Sequence, residues 1–161
     1  MYKFFQIIFI SFALTAASIS YAAKNNFQFQ INSYHTERQG GQTLDLYVRY
    51  TMKDDVDYSN YPDYRVLRNI ALTYLKPSEK LPINTYWEVI AAKMAEDLKS
   101  RYPMAGISVQ ILVYPNENGT ISEPGFHGPI YTIGNVIPFS QVVIPTGSNK
   151  GYQISRATPS N

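Results

Sequence analysis

The sequence predicts an α+β fold, a four-stranded antiparallel sheet with two helices on one face. Three observations carry this. Two early stretches alternate apolar and polar residues, the period of a half-buried strand. Two central stretches repeat apolar residues every three or four positions, the period of an amphipathic helix. Two further strand-like stretches follow them. The order is strand, strand, helix, helix, strand, strand.

The chain opens with "MYKFFQIIFISFALTAASISYA", which has a basic Lys3, an apolar run from Phe4 to about Ala17 and small residues before Ala23. This is the layout of a secretory signal peptide. Residues 1–22 are therefore expected to be removed and the protein exported, to the periplasm or the extracellular space. The apolar run is short for a membrane span and contains Gln6, so stable membrane insertion is not expected. The remainder is long enough for one domain, placed at 23–145, with a flexible tail at 146–161.

In "NFQFQINSY", Phe27, Phe29 and Ile31 share one face of the first strand. "TERQGGQ" interrupts it, and Gly40-Gly41 suits the positive φ angles of a turn. "TLDLYVRYTM" resumes alternation with Leu44, Leu46, Val48 and Tyr50 on one face, which predicts a long antiparallel hairpin. A polar crossing follows. A helix is expected to begin near Pro62, with Val66, Leu67, Ile70, Ala71, Tyr74 and Leu75 as its apolar positions, and to end at Lys76-Pro77. The second helix lies in "TYWEVIAAKMAEDLKSRYP", striped by Trp87, Ala91, Met94, Ala95 and Leu98. Asn84 or Thr85 is the expected N-cap, and Thr85 with Glu88 has the spacing of a capping box. "ISVQILVYP" is the third strand and "FHGPIYTIGNVI" a broken fourth. A short edge strand is expected after Pro138. "NGT" at Asn118 reads as a turn, or as a glycosylation sequon if the host glycosylates.

Composition narrows the function. A formal charge of +2 without a basic block argues against nucleic acid as a partner. There is no Cys, so the fold must hold by packing or by assembly with other copies. With only His35 and His127 besides, neither a metal site nor another cofactor is expected. The fourteen tyrosines serve well at the boundary between core and solvent, because the ring is apolar and the hydroxyl is not.

Four segments together resemble the tunnelling fold and, within it, the dihydroneopterin aldolase family. They are "ERQGGQTLDLYV", "DVDYSNYPDYRVLRNI", "YWEVIAAKMAEDLKSRYP" and "PGFHG", spread over roughly Phe27 to Val136. The resemblance implies a ring-forming homo-oligomer, a tetramer or octamer, with sites at subunit boundaries for planar pterin-like or purine-like rings. It assigns the substrate-anchoring carboxylate to Glu88, an acidic residue of the first turn to Glu37, a pocket tyrosine to Tyr58 and a pocket histidine to His127. One carboxylate accepting from an amino group and a ring N–H fixes a ligand in a fork.

The family's catalytic lysine has no counterpart, because its position reads Tyr114. An ordinary phenol, with a pKa of about 10, is a poor base near neutral pH. The expectation is thus an exported protein that binds a pterin-like or purine-like ring without the standard aldolase reaction. Two alternatives stay open: a lyase of altered chemistry with Tyr58 and Tyr114 as catalytic groups, and a non-catalytic oligomeric scaffold or host-interaction protein. For Glu88 the capping box is the competing role. For Glu37 it is a turn pair with Arg38, and for Tyr58 it is anchoring of the crossing to the core.

Overall fold

The structure is a computed structural model that describes residues 25–115 and 125–140. The expected signal peptide, the Asn118 sequon, the tail and most of the stretch after Pro138 lie outside these residues. The elements are β1 (Asn26–Thr36), β2 (Gln42–Met52), α1 (Tyr64–Leu75), α2 (Trp87–Arg101), β3 (Met104–Val113) and β4 (Ile130–Gly134). The four strands form one antiparallel sheet in the order β1-β2-β3-β4.

The hairpin forms as the alternation requires. Phe29, Ile31, Leu44, Leu46, Val48 and Tyr50 are all buried toward the helices. Gly40 and Gly41 take φ angles of 88° and 89°, which a side chain would resist. A bulge between Ile31 and Tyr34 then shifts the phase of β1. At the bulge Ser33 holds φ 52°, a left-handed conformation that costs a non-glycine residue about 1 kcal/mol or more. Its N–H donates to Asp45 Oδ1 at 2.7 Å, a charge-assisted bond that offsets this strain.

Helix α1 begins two residues later than Pro62 suggests. Asp63 is the N-cap, and its carboxylate accepts the Arg65 N–H at 2.9 Å. Leu67, Ala71 and Leu75 are buried, whereas Val66, expected in the stripe, is exposed. In α2 the stripe is as expected, with Trp87, Ala91, Met94, Ala95 and Leu98 joined by Ile90. These residues and the inward strand residues form one core between the sheet and the helices. Each fully buried large aliphatic side chain contributes about 1.5–3 kcal/mol.

The broken fourth strand has a simple form. Only Ile130–Gly134 is continuous, and His127 makes an isolated bridge to Val113. The opposite face of the sheet differs in character. By strand alternation it carries Asp45, Tyr47, Arg49 and Thr51 from β2 and Gly106, Ser108 and Gln110 from β3. Residues Asn135–Ser140 cross this polar face after β4. Phe139 and Ser140, where an edge strand was expected, have no regular structure.

Candidate functional site

The end of the sheet nearest the β1–β2 turn is organised by Arg38, whose side chain is fully buried. Its Nε donates to Leu75 O at 3.1 Å and its Nη1 to Pro82 O at 2.7 Å. Its Nη2 reaches Tyr74 O, Lys76 O and Leu81 O at 3.2, 2.5 and 3.1 Å. A buried cation is costly unless it is hydrogen-bonded. Here the last carbonyls of α1, at the negative end of the helix dipole, supply acceptors that would otherwise lack donors. Burial still pushes the guanidinium pKa down. A turn pair between Glu37 and Arg38 is therefore not formed: Arg38 goes inward and Glu37 remains exposed.

The same mount fixes the start of α2. Gln39 donates from its backbone to Ile83 O at 3.3 Å and from its side chain to Thr85 O at 3.1 Å. Trp87 Nε1 donates to Gln42 Oε1 at 2.9 Å in the buried interior. The expected capping box is absent. Thr85 donates both its N–H (3.0 Å) and its hydroxyl (2.8 Å) to Pro82 O, so the N–H that the Glu88 carboxylate would accept in a capping box is already taken. The N-cap is instead Tyr86, which makes no side-chain capping bond. Glu88 stands exposed in the first turn, where the helix dipole favours a carboxylate. Exposed Ile83, Tyr86 and Val89 surround it in sequence.

Tyr114 and His127 reach this same end of the sheet on different faces. The Val113–His127 bridge puts His127 in phase with Val113, which faces the helices. The rings of Tyr114 and Phe126 meet edge to face at 5.2 Å, and the Tyr114 hydroxyl donates to Asp45 Oδ2 at 3.1 Å on the polar face. Tyr47 donates to that oxygen as well, at 2.9 Å. Burial pushes the Tyr114 phenol pKa up; a Ser33 hydrogen bond opposes this, and the Asp45 carboxylate adds to it. Tyr114 is thus a donor held on Asp45, ionised less readily than a free phenol.

Tyr58 is at the far end of the sheet, in the turn beyond Met52. Strand β2 alone separates the two ends by roughly 30 Å, at about 3.3 Å per residue. The Tyr58 ring is 74% exposed and lies 5.1 Å from Tyr61, which meets Phe27, itself stacked on Tyr50. The anchoring role expected of Tyr58 thus has a physical path to the core. One chain brings Glu37, Glu88 and His127 to one end of the fold and cannot add its own Tyr58. Lys53, the exposed residue following β2, is at the Tyr58 end.

Sequence reasoning missed Arg38 and Asp45. Arg38 finds its acceptors at the end of α1 and in the loop after it, and Asp45, beyond its near neighbour Tyr47, is held by Ser33 of β1 and by Tyr114 just past β3, all distant in sequence. Among the described residues no group of His, Asp and Glu converges as a metal ion would need. No helix among them is long and apolar enough to cross a membrane. No family model matches the chain and no curated protein matches it, so the site stands on its own residues.

Proposed function

We propose that the protein is an exported, dihydroneopterin-aldolase-like member of the tunnelling fold that binds a pterin-like or purine-like ring where two copies meet. The observation that carries this reading is Glu88. Its carboxylate is exposed on a rigidly mounted helix start and is released from the capping role by the commitment of Thr85 to Pro82. It has two acceptor oxygens for the amino group and ring N–H of such a ligand. Glu37 and His127 flank the same end.

Tyr58 completes the pocket from a neighbouring copy, which would bring Lys53 along with it. Sheet geometry supports such a neighbour. β1 and β4 are the two edges of an antiparallel sheet of even strand number, so they run in opposite directions. The β4 edge of one copy can then pair antiparallel with the β1 edge of the next, and repetition closes a ring. Standard aldolase chemistry is not part of the reading, because Tyr114 is held as a donor on the other face of the sheet.

Calorimetric titration of the oligomer, residues 23–161, with neopterin, dihydroneopterin, guanine and urate tests the proposal. Saturable binding of at least one compound is expected, weakened at least tenfold by Glu88→Gln. Silence across the panel from an assembled oligomer, or binding indifferent to Glu88→Gln, rejects it.

A further inference from the structure

The strap Asn135–Ser140 is built into the polar face at several points. The Asn135 N–H donates to Ala105 O at 3.0 Å, and its carbonyl accepts from Thr51 Oγ1. Gly106 lies beneath it: a Cβ there would sit 2.6 Å from the Asn135 backbone. Further along, Arg49 Nη1 donates to Ile137 O at 3.2 Å and to Pro138 O at 3.3 Å. The Phe139 ring covers the guanidinium at 4.4 Å and meets the Tyr47 ring at 6.2 Å and 60°. The Phe139 N–H donates to Ser108 Oγ at 3.3 Å.

Read as chemistry, this is an aromatic ring flanked by two oxygen acceptors, seated on a cation with an aromatic wall. Among the described residues every acceptor of Arg49 is neutral, its remaining bond being a long one to Gln28 Oε1 at 3.5 Å. We propose that Arg49, Tyr47, Ser108 and Gln28 form a second ligand site, for a small aromatic carboxylate, and that Phe139 occupies it as an internal stand-in. A carboxylate accepts both arms of a guanidinium fork in charge-assisted bonds, roughly twice as strong as those to neutral carbonyls. The aromatic part of the ligand replaces Phe139 over the cation.

The strap is able to leave without unravelling the sheet. Its first residue is tied to the sheet through Ala105 and Thr51, whereas Ile137, Pro138 and Phe139 are held by the side chains of Arg49 and Ser108, and Ile137 (55%) and Pro138 are exposed. Residues beyond Val136 are the ones that lift. A ligand must displace them, so its apparent affinity is reduced by the fraction of molecules with the strap in place. The site lies on the face away from α2 and needs neither Glu88 nor a second copy.

The test uses 4-hydroxybenzoate as probe, titrated calorimetrically into the parent protein, Phe139→Ala and the double variant Phe139→Ala/Arg49→Gln. Phe139→Ala empties the seat and is expected to bind at least tenfold more tightly than the parent. The double variant is expected to lose that gain, with folding confirmed by circular dichroism. Should it fail to fold, Phe139→Ala/Arg49→Lys takes its place, keeping the charge without the fork, and at least a severalfold loss is expected. Binding by Phe139→Ala no tighter than by the parent, or binding indifferent to the Arg49 change, overturns the proposal.

Discussion

The two faces of this sheet are closed by different means. Toward the helices, Leu46, Val48, Ile107, Val109 and Ile111 pack against α2 and α1 in a continuous apolar core. On the other side, Thr51, Arg49 and Ser108 hold a single strap by individual hydrogen bonds. Apolar packing is cooperative, because every buried side chain touches several others. The strap contacts are few, and each is worth only about 0.5–1.5 kcal/mol net. The helix face is therefore expected to open only with global unfolding, and the strap face locally and at lower free energy.

The largest expected effect comes from the polar exception on the helix side. Arg38→Met removes the donor shared by five buried or half-buried carbonyls and is expected to destabilise the protein by about 3–5 kcal/mol. A urea unfolding curve measures it. A loss below about 1 kcal/mol would mean that the carbonyls reach water, and the distinction between a sealed face and a strapped face would weaken.

A smaller effect is expected from Gly106→Ala, whose new methyl group collides with the Asn135 backbone. Overpacking of this kind costs about 1–3 kcal/mol. The loss should fall mainly on the strap, seen as faster amide exchange at Phe139 with core protection kept. Equal acceleration in β2 and β3 would show that the two faces are not separable.

The smallest effect is confined to high pH. Burial first, and then hydrogen bonding to the Asp97 carboxylate, raises the Tyr74 pKa to about 12. The unfolded phenol titrates near 10, so folding favours its protonated form. That stabilisation is complete below about pH 10 and disappears as pH rises toward 12. Tyr74→Phe has no such group, so the parent should lose stability more steeply than the variant between pH 10 and 12. Parallel unfolding midpoints across that interval would remove Tyr74 as the cause.

What the sequence revealed and what it hid follow from the range of the interactions. The element order, the apolar stripe of α2 and the Gly40-Gly41 turn were readable because periodicity and φ preference are local. The cap of α2 was misread because Pro82 O captures Thr85, an event decided by the loop before the helix. The start of α1 moved because Asp63, not Pro62, satisfies its first amides. Phe139 read as part of an edge strand because its partners, Arg49 and Tyr47, are far away in sequence. For the candidate site, Glu88, Glu37 and His127 were named by resemblance, and folding gathers them at one end. That Tyr114 turns to the other face follows from the alternation of β3, whose Val113 faces the helices; what was hidden is its partner Asp45, which lies far away in sequence on β2.

Arg38 has one more consequence. Its backbone adjoins Glu37, while its guanidinium grips Pro82 O, the same atom that receives both bonds from Thr85 just ahead of Glu88. One side chain therefore acts as a calliper between two carboxylates that are remote in sequence. Their separation is a machined dimension of the fold and not the sum of two independent loop positions. Lengthening the loop between α1 and α2 would change that gauge even if every acidic residue were kept.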